Sequence, residues 1–163
     1  MFQGVHHITY LVWDLDSVEA YFSKHFGLEP IQRENKGPGR NIAFQVGPTV
    51  LRFTQPTRTA SGMEYELLRR FGGPVISHIG LVVASLDKTS QELRDGGVDF
   101  TQSEVTVSPH GGYELIDIAS EGSCGMRSQN ELFALNKMLP DSRVGIRLQL
   151  CENTETREEL SSA

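Results

Sequence analysis

Several short runs of the chain alternate between apolar and polar residues, and between some of these runs the apolar spacing becomes helical. The run HITYLVW alternates with the period of two that a strand requires, so His7 and Thr9 share one face and Ile8 and Tyr10 the other. A helix is predicted next, because one apolar stripe at helical spacing is formed by Leu15, Val18, Phe22 and Phe26. The chain therefore begins with a strand followed by a helix.

The same pattern recurs from His78, 71 positions after His7, in the run HIGLVVASLDKTSQELRDGG. Asp14 and Ser85 stand at matching places before the two helices, where side-chain oxygens cap helix N-termini. Gly27 and either Gly96 or Gly97 are suited to end these helices. The sequence thus predicts a duplicated unit.

Each predicted helix is followed by three strand-like runs, separated by the turn signals KGPG, VGPT and PHGG. The repeated element order is therefore βαβββ. Between the repeats, residues 57–74 predict a helical connector with Met63, Leu67, Leu68 and Phe71 directed inward. The predicted boundaries are 1–56 for the first module, 57–74 for the connector, 75–152 for the second module with an insertion at 121–143, and 153–163 for a polar tail.

Strand alternation assigns side chains to faces. The larger aliphatic residues suit the face beneath each helix, so His7 and His78 point to the opposite face at matching places in the two repeats. By the same rule His6 points away from His7 and has a structural or interfacial role. Three later strands add further candidates to the face opposite the helices. They are Arg52 and Thr54 in TVLRFTQP, Asp117 in YELIDIAS, and Arg147, Gln149 and Cys151 in GIRLQLCE.

Composition narrows the class of protein. Hydrophobic residues make up 38% and charged residues 22%, no apolar run is long enough to span a membrane, and the N-terminus lacks a signal-peptide pattern. A net charge of −6 without a basic stripe argues against nucleic acid as a partner. Two cysteines, Cys124 and Cys151, match no disulfide framework or zinc motif, so a cytoplasmic protein is expected.

The segments HHITYLVWDLDSVEAYF, TVLRFTQP, SHIGLVVASLDK and VGIRLQLCE resemble the vicinal oxygen chelate superfamily. This superfamily includes glyoxalase I, methylmalonyl-CoA epimerase, extradiol dioxygenases and bleomycin resistance proteins. The connector before ISHIGLVV is most similar to that of the epimerase-like and glyoxalase-like members. The resemblance implies an α+β fold in which two tandem βαβββ modules form a curved mixed sheet around a cavity. It also implies a homodimer with a small-molecule ligand.

In the family, four strand positions hold a divalent metal, and they correspond here to His7, Arg52, His78 and Gln149. The pattern is degenerate, because a guanidinium stays protonated and cannot bind a cation. A glutamine can ligate through its amide oxygen, but it is neutral and cannot act as a base. The resemblance therefore implies Ni, Co, Mn, Zn or Fe at His7, His78 and Gln149, in an atypical site.

Two functions are consistent with these residues. In the first, the protein is a glyoxalase-like or epimerase-like lyase or isomerase that acts on an oxygen-rich, anionic substrate. Its candidate catalytic residues are His7, His78, Arg52 and Asp117. In the second, it is a metal-free protein that sequesters a ligand, as bleomycin resistance proteins do. In that case Arg52, Trp13 and Gln149 recognise the ligand, with Trp13 stacking on a planar group.

Overall fold

The computed structural model describes residues 2–36, 39–58, 63–98, 100, 103–108, 110, 113–117 and 147–153. The chain divides into two compact units, one of His6–His78 and the other of Met1–Val5 with Ile79–Ala163. The described elements follow one another as β1 (Phe2–Leu11), α1 (Leu15–Phe26), β2 (Gln32–Lys36), β3 (Gly39–Val46), β4 (Thr49–Pro56), α2 (Met63–Phe71), β5 (Val75–Val83), α3 (Leu86–Asp95), β6 (Thr106–Val107), β7 (Tyr113–Asp117) and β8 (Arg147–Asn153).

In the His6–His78 unit the strand order is β2-β3-β4-β1. Strands β2, β3 and β4 form an antiparallel meander, whereas β1 lies parallel to β4, with Thr9 beside Arg52. A parallel neighbour requires a crossover connection, and α1 lies in the connection that follows β1. The mixed sheet predicted for the repeat is therefore observed in this unit.

Helix α1 begins and ends where the sequence predicts. The Asp14 carboxylate accepts a hydrogen bond from the backbone N–H of Ser17, and Gly27 ends the helix with a φ of 62°. The helix packs over the sheet face that contains Tyr10 and Phe53, with Phe22 against Phe44 and Phe53. Only the end of the predicted stripe differs, because Phe26 is 60% exposed.

The strands of the second half follow the equivalent order β5-β8-β7-β6, and β6, β7 and β8 pair antiparallel. Ser85 caps α3 by accepting a hydrogen bond from the backbone N–H of Lys88. The apolar side of α3 packs against one face of these strands, in a core formed by Val83, Leu86, Ile116 and Leu150 with Leu81, Leu93 and Leu148 at its margin. The helix-facing residues predicted from strand alternation are therefore observed in both units.

The predicted α+β fold with two βαβββ modules is confirmed. In the connector, α2 buries Leu67 and Leu68 as predicted, whereas Phe71 is partly buried. The module boundaries stay a prediction. The insertion at 121–143, most of the tail at 153–163 and Cys124 lie outside the described residues. Among the helices that the structure describes, none has the length and apolarity needed to cross a membrane.

Candidate active site

One face of the His6–His78 unit is polar and buried. It lies opposite the face that packs against α1, because residues two apart on a strand share a side. We call this the polar face. Its buried polar side chains, none more than 5% exposed, are His7, Thr9, Asn41, Arg52 and Thr54. Buried polar groups need partners, so this layer must be organised by its own hydrogen bonds or by a bound ligand.

The two predicted histidines meet at the polar face. The Nε2 atoms of His7 and His78 are 3.0 Å apart, and the ring planes are nearly perpendicular. His7 is fully buried, and Thr9 Oγ1 lies 3.4 Å from Nε2 of His78. Two imidazole nitrogens at this separation are held together either by a shared proton or by a cation.

The outer ring nitrogens also have partners. Nδ1 of His7 lies 2.8 Å from Nδ1 of His6, and Nδ1 of His78 lies 3.2 Å from the Ser77 hydroxyl. Alternation on the strand predicts that His6 points away from His7, and this prediction is wrong. The two rings contact each other edge to face, with their centroids 5.1 Å apart. The partner at Nδ1 decides which tautomer a histidine adopts, so His6 bears directly on the chemistry of His7.

The donor atoms of this unit fit a divalent cation in part. The two Nε2 atoms are 3.0 Å apart, close enough for both imidazoles to hold one cation. Arg52, at the position of the third ligand in the family pattern, cannot bind a cation. The unit therefore fits a cation held by two imidazoles and completed by ligand oxygens.

Arg52 lies on β4, one of the two inner strands of the polar face. It is 5% exposed, and its strand neighbours are Thr9 on β1 and Ala43 on β3. Residues paired across adjacent strands point to the same side, so the guanidinium shares a face with Thr9. The fixed fork of a guanidinium suits bidentate binding of a carboxylate or phosphate. Arg52 therefore gives the polar face a permanent positive charge.

Glu34 also belongs to this face, and the sequence did not indicate it. The register pairs Glu34 with Asn41, and Asn41 with Thr54. The Thr54 hydroxyl donates to Asn41 Oδ1 at 2.5 Å, which confirms that these side chains share a side. The face on which Glu34 lies depends on the register between β2 and β3. The run QRENK of β2 is polar throughout, so it has no hydrophobic alternation from which that face could be predicted.

In the second unit, Asp117 and Gln149 are brought together. The amide nitrogen of Gln149 donates to Asp117 Oδ1 at 2.9 Å, and the Cys151 thiol lies 3.7 Å from the amide oxygen of Gln149. All three side chains are buried, on the face opposite α3 that the sequence predicts. The catalytic role of Asp117 and the ligand role of Gln149 stay predictions. The side chain of Arg147 lies outside those that the structure describes.

Trp13 lies beyond the end of β1, so alternation along that strand does not determine its direction. The indole is 43% exposed and packs edge to face on Tyr65 of α2, with ring centroids 5.6 Å apart. Its predicted stacking on a ligand stays a prediction. Of the predicted site residues, the structure thus brings His7 and His78 together in one unit, and Asp117 and Gln149 together in the other.

Solved structures share this fold at low sequence identity. Methylmalonyl-CoA epimerase from Mycobacterium tuberculosis is 18% identical, with a TM-score of 0.73 over 99% of this chain and 93% of that chain. A variant of the Streptomyces coelicolor epimerase in complex with 2-nitronate-propionyl-CoA is 17% identical, with a TM-score of 0.71 over 94% of this chain and 96% of that chain. At such identity the similarity establishes the fold alone.

Sequence comparison identifies the family. No curated protein matches the chain significantly in sequence. The family described as the glyoxalase/bleomycin resistance protein/dioxygenase superfamily matches residues 6–115. This match covers more than half of the chain, beginning at β1 and ending within β7. It confirms the resemblance to vicinal oxygen chelate proteins, and the chain therefore belongs to the glyoxalase/bleomycin resistance protein/dioxygenase superfamily.

Proposed function

We propose that the protein is an isomerase or lyase that moves a proton at a carbon next to a carbonyl group in an anionic, oxygen-rich small molecule. The observation that carries the proposal is the convergence of the His7 and His78 Nε2 atoms at 3.0 Å on a buried face that also contains Arg52. Two convergent donors and a fixed cation are suited to a substrate with neighbouring oxygens. The epimerase structures that share the fold support the reaction class.

The residues of the polar face have distinct roles in this proposal. His7 and His78 would hold a divalent cation, which when bound polarises substrate oxygens as a Lewis acid. Arg52 binds the substrate anion and stabilises the negative charge that develops on the enolate oxygen. Glu34 takes the proton from carbon through its carboxylate, and the electron pair of the broken C–H bond moves onto the carbonyl oxygen. Delivery of a proton from solvent to the opposite side of the carbon, with the electron pair returning from the oxygen to the carbon, gives the epimer, and Glu34 then releases its proton to solvent.

Isotope exchange tests the proposal on several classes of candidate substrate at once. The protein is incubated in D2O with Co²⁺ and a panel of 2-oxo acids, 2-hydroxy acids and branched acyl thioesters. The panel includes methylmalonyl-CoA, because a structurally similar epimerase binds it. We expect deuterium to appear at the carbon next to a carbonyl group in at least one compound, detected by proton NMR.

Matched variants assign the exchange to the site. Glu34→Gln keeps the size of the side chain but removes the base, and we expect at least a hundredfold slower exchange. Glu29→Gln makes the same chemical change on the exposed connection after α1 and should leave the rate unchanged. Equal rates in Glu34→Gln and the wild-type protein would exclude Glu34 as the base. No exchange in any compound would reject the proposed function.

A ligand-sequestering protein is the second candidate, and Arg52 favours it. A guanidinium in place of a metal ligand suits anion recognition without a cation. This function predicts that a compound binds with equal affinity with and without a chelator and shows no exchange in D2O. Calorimetric titration of the same panel distinguishes it from the enzyme.

A further inference from the structure

The three histidines of the His6–His78 unit form one hydrogen-bonded chain. His6 contacts His7 through their Nδ1 atoms at 2.8 Å, His7 contacts His78 through their Nε2 atoms at 3.0 Å, and His78 contacts the Ser77 hydroxyl at 3.2 Å. A neutral imidazole has one N–H group and one lone pair. Each contact requires one of each, so the tautomers of the three rings depend on one another.

Only two arrangements of neutral rings satisfy these three contacts, and the Thr9 hydroxyl near His78 Nε2 can donate or accept in either. In the first, the Ser77 hydroxyl donates to His78 Nδ1, His78 Nε2–H donates to His7 Nε2, and His7 Nδ1–H donates to His6 Nδ1. In the second, all these hydrogen bonds run the other way. The first arrangement places the proton of His6 and His78 on Nε2, which is the commoner tautomer of free histidine. The second places it on Nδ1 in both, so the first is favoured.

We propose that His6 is a positioning residue that accepts a hydrogen bond from Nδ1–H of His7 and so keeps the lone pair of His7 Nε2 directed at the polar face. To hold a cation beside His7, His78 would have to release only one proton, from Nε2. That proton can move to Nδ1 of the same ring, where the Ser77 hydroxyl can accept its hydrogen bond. His7 needs no change of tautomer. The inference deepens the proposed function, because it names the residue that prepares His7 to bind the cation.

The tautomer of His7 is measured directly by long-range proton–nitrogen correlation spectra of ¹⁵N-labelled protein at about pH 8.5, where free imidazoles are neutral. The signals of His7 are assigned by their loss in His7→Asn. In the wild-type protein we expect Nδ1 to be protonated and Nε2 to be bare. A His7 with its proton on Nε2 would overturn the inference, whether or not any variant folds.

Three variants connect this tautomer to His6. His6→Phe keeps a ring but removes the acceptor, so the proton of His7 should move to Nε2. His6→Asn places an oxygen near the position of Nδ1 and should restore the wild-type spectrum. His25→Phe is the matched control, since His25 is exposed on α1 and packs on Tyr21. An unchanged His7 tautomer in His6→Phe would also overturn the inference.

Titration with Co²⁺ alone, followed by its visible absorption, provides a second measurement. We expect affinity to fall about tenfold in His6→Phe, as for other partners of metal-bound histidines, and to be retained in His6→Asn. Failure of the two inferences is distinguishable. The predicted tautomer without isotope exchange would support the role of His6 and reject the proposed reaction. Isotope exchange with an unaltered tautomer in His6→Phe would support the proposed reaction and reject the role of His6.

Discussion

Arg52 is a buried cation on the same face as a pair of imidazoles, an arrangement that constrains what can bind there. Positive charges that are partly removed from water attract anions more strongly than exposed ones, because the surrounding dielectric is lower. A small dianion with neighbouring oxygens, such as oxalate, therefore serves as a simple probe for this face.

Removing the guanidinium should weaken the binding of that probe. We expect Arg52→Ala to reduce oxalate affinity about tenfold in calorimetric titration, and Arg52→Lys to reduce it less, because a lysine retains the charge but not the fork. Arg69→Ala is the control, since Arg69 is exposed on α2 in an ion pair with Glu66. Unchanged affinity in Arg52→Ala, with melting curves showing a folded protein, would contradict the assignment of Arg52 to anion binding.

At the scale of single residues, the sequence predicts the side on which a side chain lies wherever that side follows from strand alternation alone. His7 and Arg52 lie on the predicted side because their strands begin and end near the predicted positions. Trp13 lies beyond the end of β1, where the alternation rule no longer applies. The side on which Glu34 lies follows from the register between β2 and β3, which the polar sequence of β2 does not encode. The direction of the His6 ring follows from its contact with His7. Local periodicity contains neither kind of information.

At the scale of elements, the two helix starts have the same construction. The side chain of Gln55, on β4, accepts a hydrogen bond from the backbone N–H of Leu15 at 3.0 Å. Glu152, on β8, accepts one from the backbone N–H of Leu86 at 2.9 Å. Each helix is thus attached to the last strand of its own module through a backbone group that the helix leaves without an internal partner.

Loss of either acceptor should destabilise the protein. We expect Gln55→Met and Glu152→Met each to lower the free energy of unfolding by about 1–2 kcal/mol, because a partly buried N–H group loses its partner. Glu152→Gln retains an oxygen and should change stability by a few tenths of that amount. Urea denaturation measures all three. A Glu152→Met variant as stable as Glu152→Gln would show that the hydrogen bond contributes nothing.

The cap of α1 should make stability depend on pH. The Ser17 hydroxyl and backbone N–H donate to Asp14 and lower the pKa of its carboxyl below the ordinary value. A carboxyl with a lowered pKa stabilises the folded state above the pKa of the unfolded chain, and this contribution is lost as the pH falls through the folded pKa. Asp14→Asn should therefore melt below the wild-type temperature at pH 6, with the difference shrinking as the pH falls through the folded pKa of Asp14.

The equivalent cap on α3 is the control for this measurement. Ser85 accepts a hydrogen bond from the Lys88 backbone N–H but carries no charge. Ser85→Ala should lower the melting temperature by an amount that does not vary over the same range of pH. A constant difference between Asp14→Asn and the wild-type protein would mean that the charge of Asp14 has no part in the cap.

At the scale of the whole molecule, the duplication predicted the fold. Two copies of one hydrophobic pattern determine two βαβββ modules, each with its own core between a helix and a sheet face. The pattern does not determine the chemistry, because the paired positions have diverged. Arg52 in one module corresponds to Gln149 in the other, and Ala43 opposite Arg52 corresponds to Asp117 opposite Gln149. Hydrophobic periodicity is preserved through such changes, and side-chain chemistry is not.

The assembly of the molecule stays a prediction from the family, namely a homodimer. Exposed apolar side chains near the end of α1 are consistent with a partner surface, since Tyr21, Phe26 and Ile31 are each more than half exposed. We expect light scattering coupled to size exclusion to give about twice the mass of the chain. A monomer at a concentration of about 100 µM, well above the dissociation constant of a stable dimer, would contradict this expectation.

Under the proposed function, the guanidinium of Arg52 also has a consequence for how the protein responds to the supply of metal ions. A metal-dependent anion site empties when a cell is starved of transition metals, but a covalently attached cation cannot be withdrawn by a chelator. Arg52 would thus keep part of the attraction for an anion on the polar face through such periods. The retention of a ligand and its chemical conversion would then respond separately to metal availability.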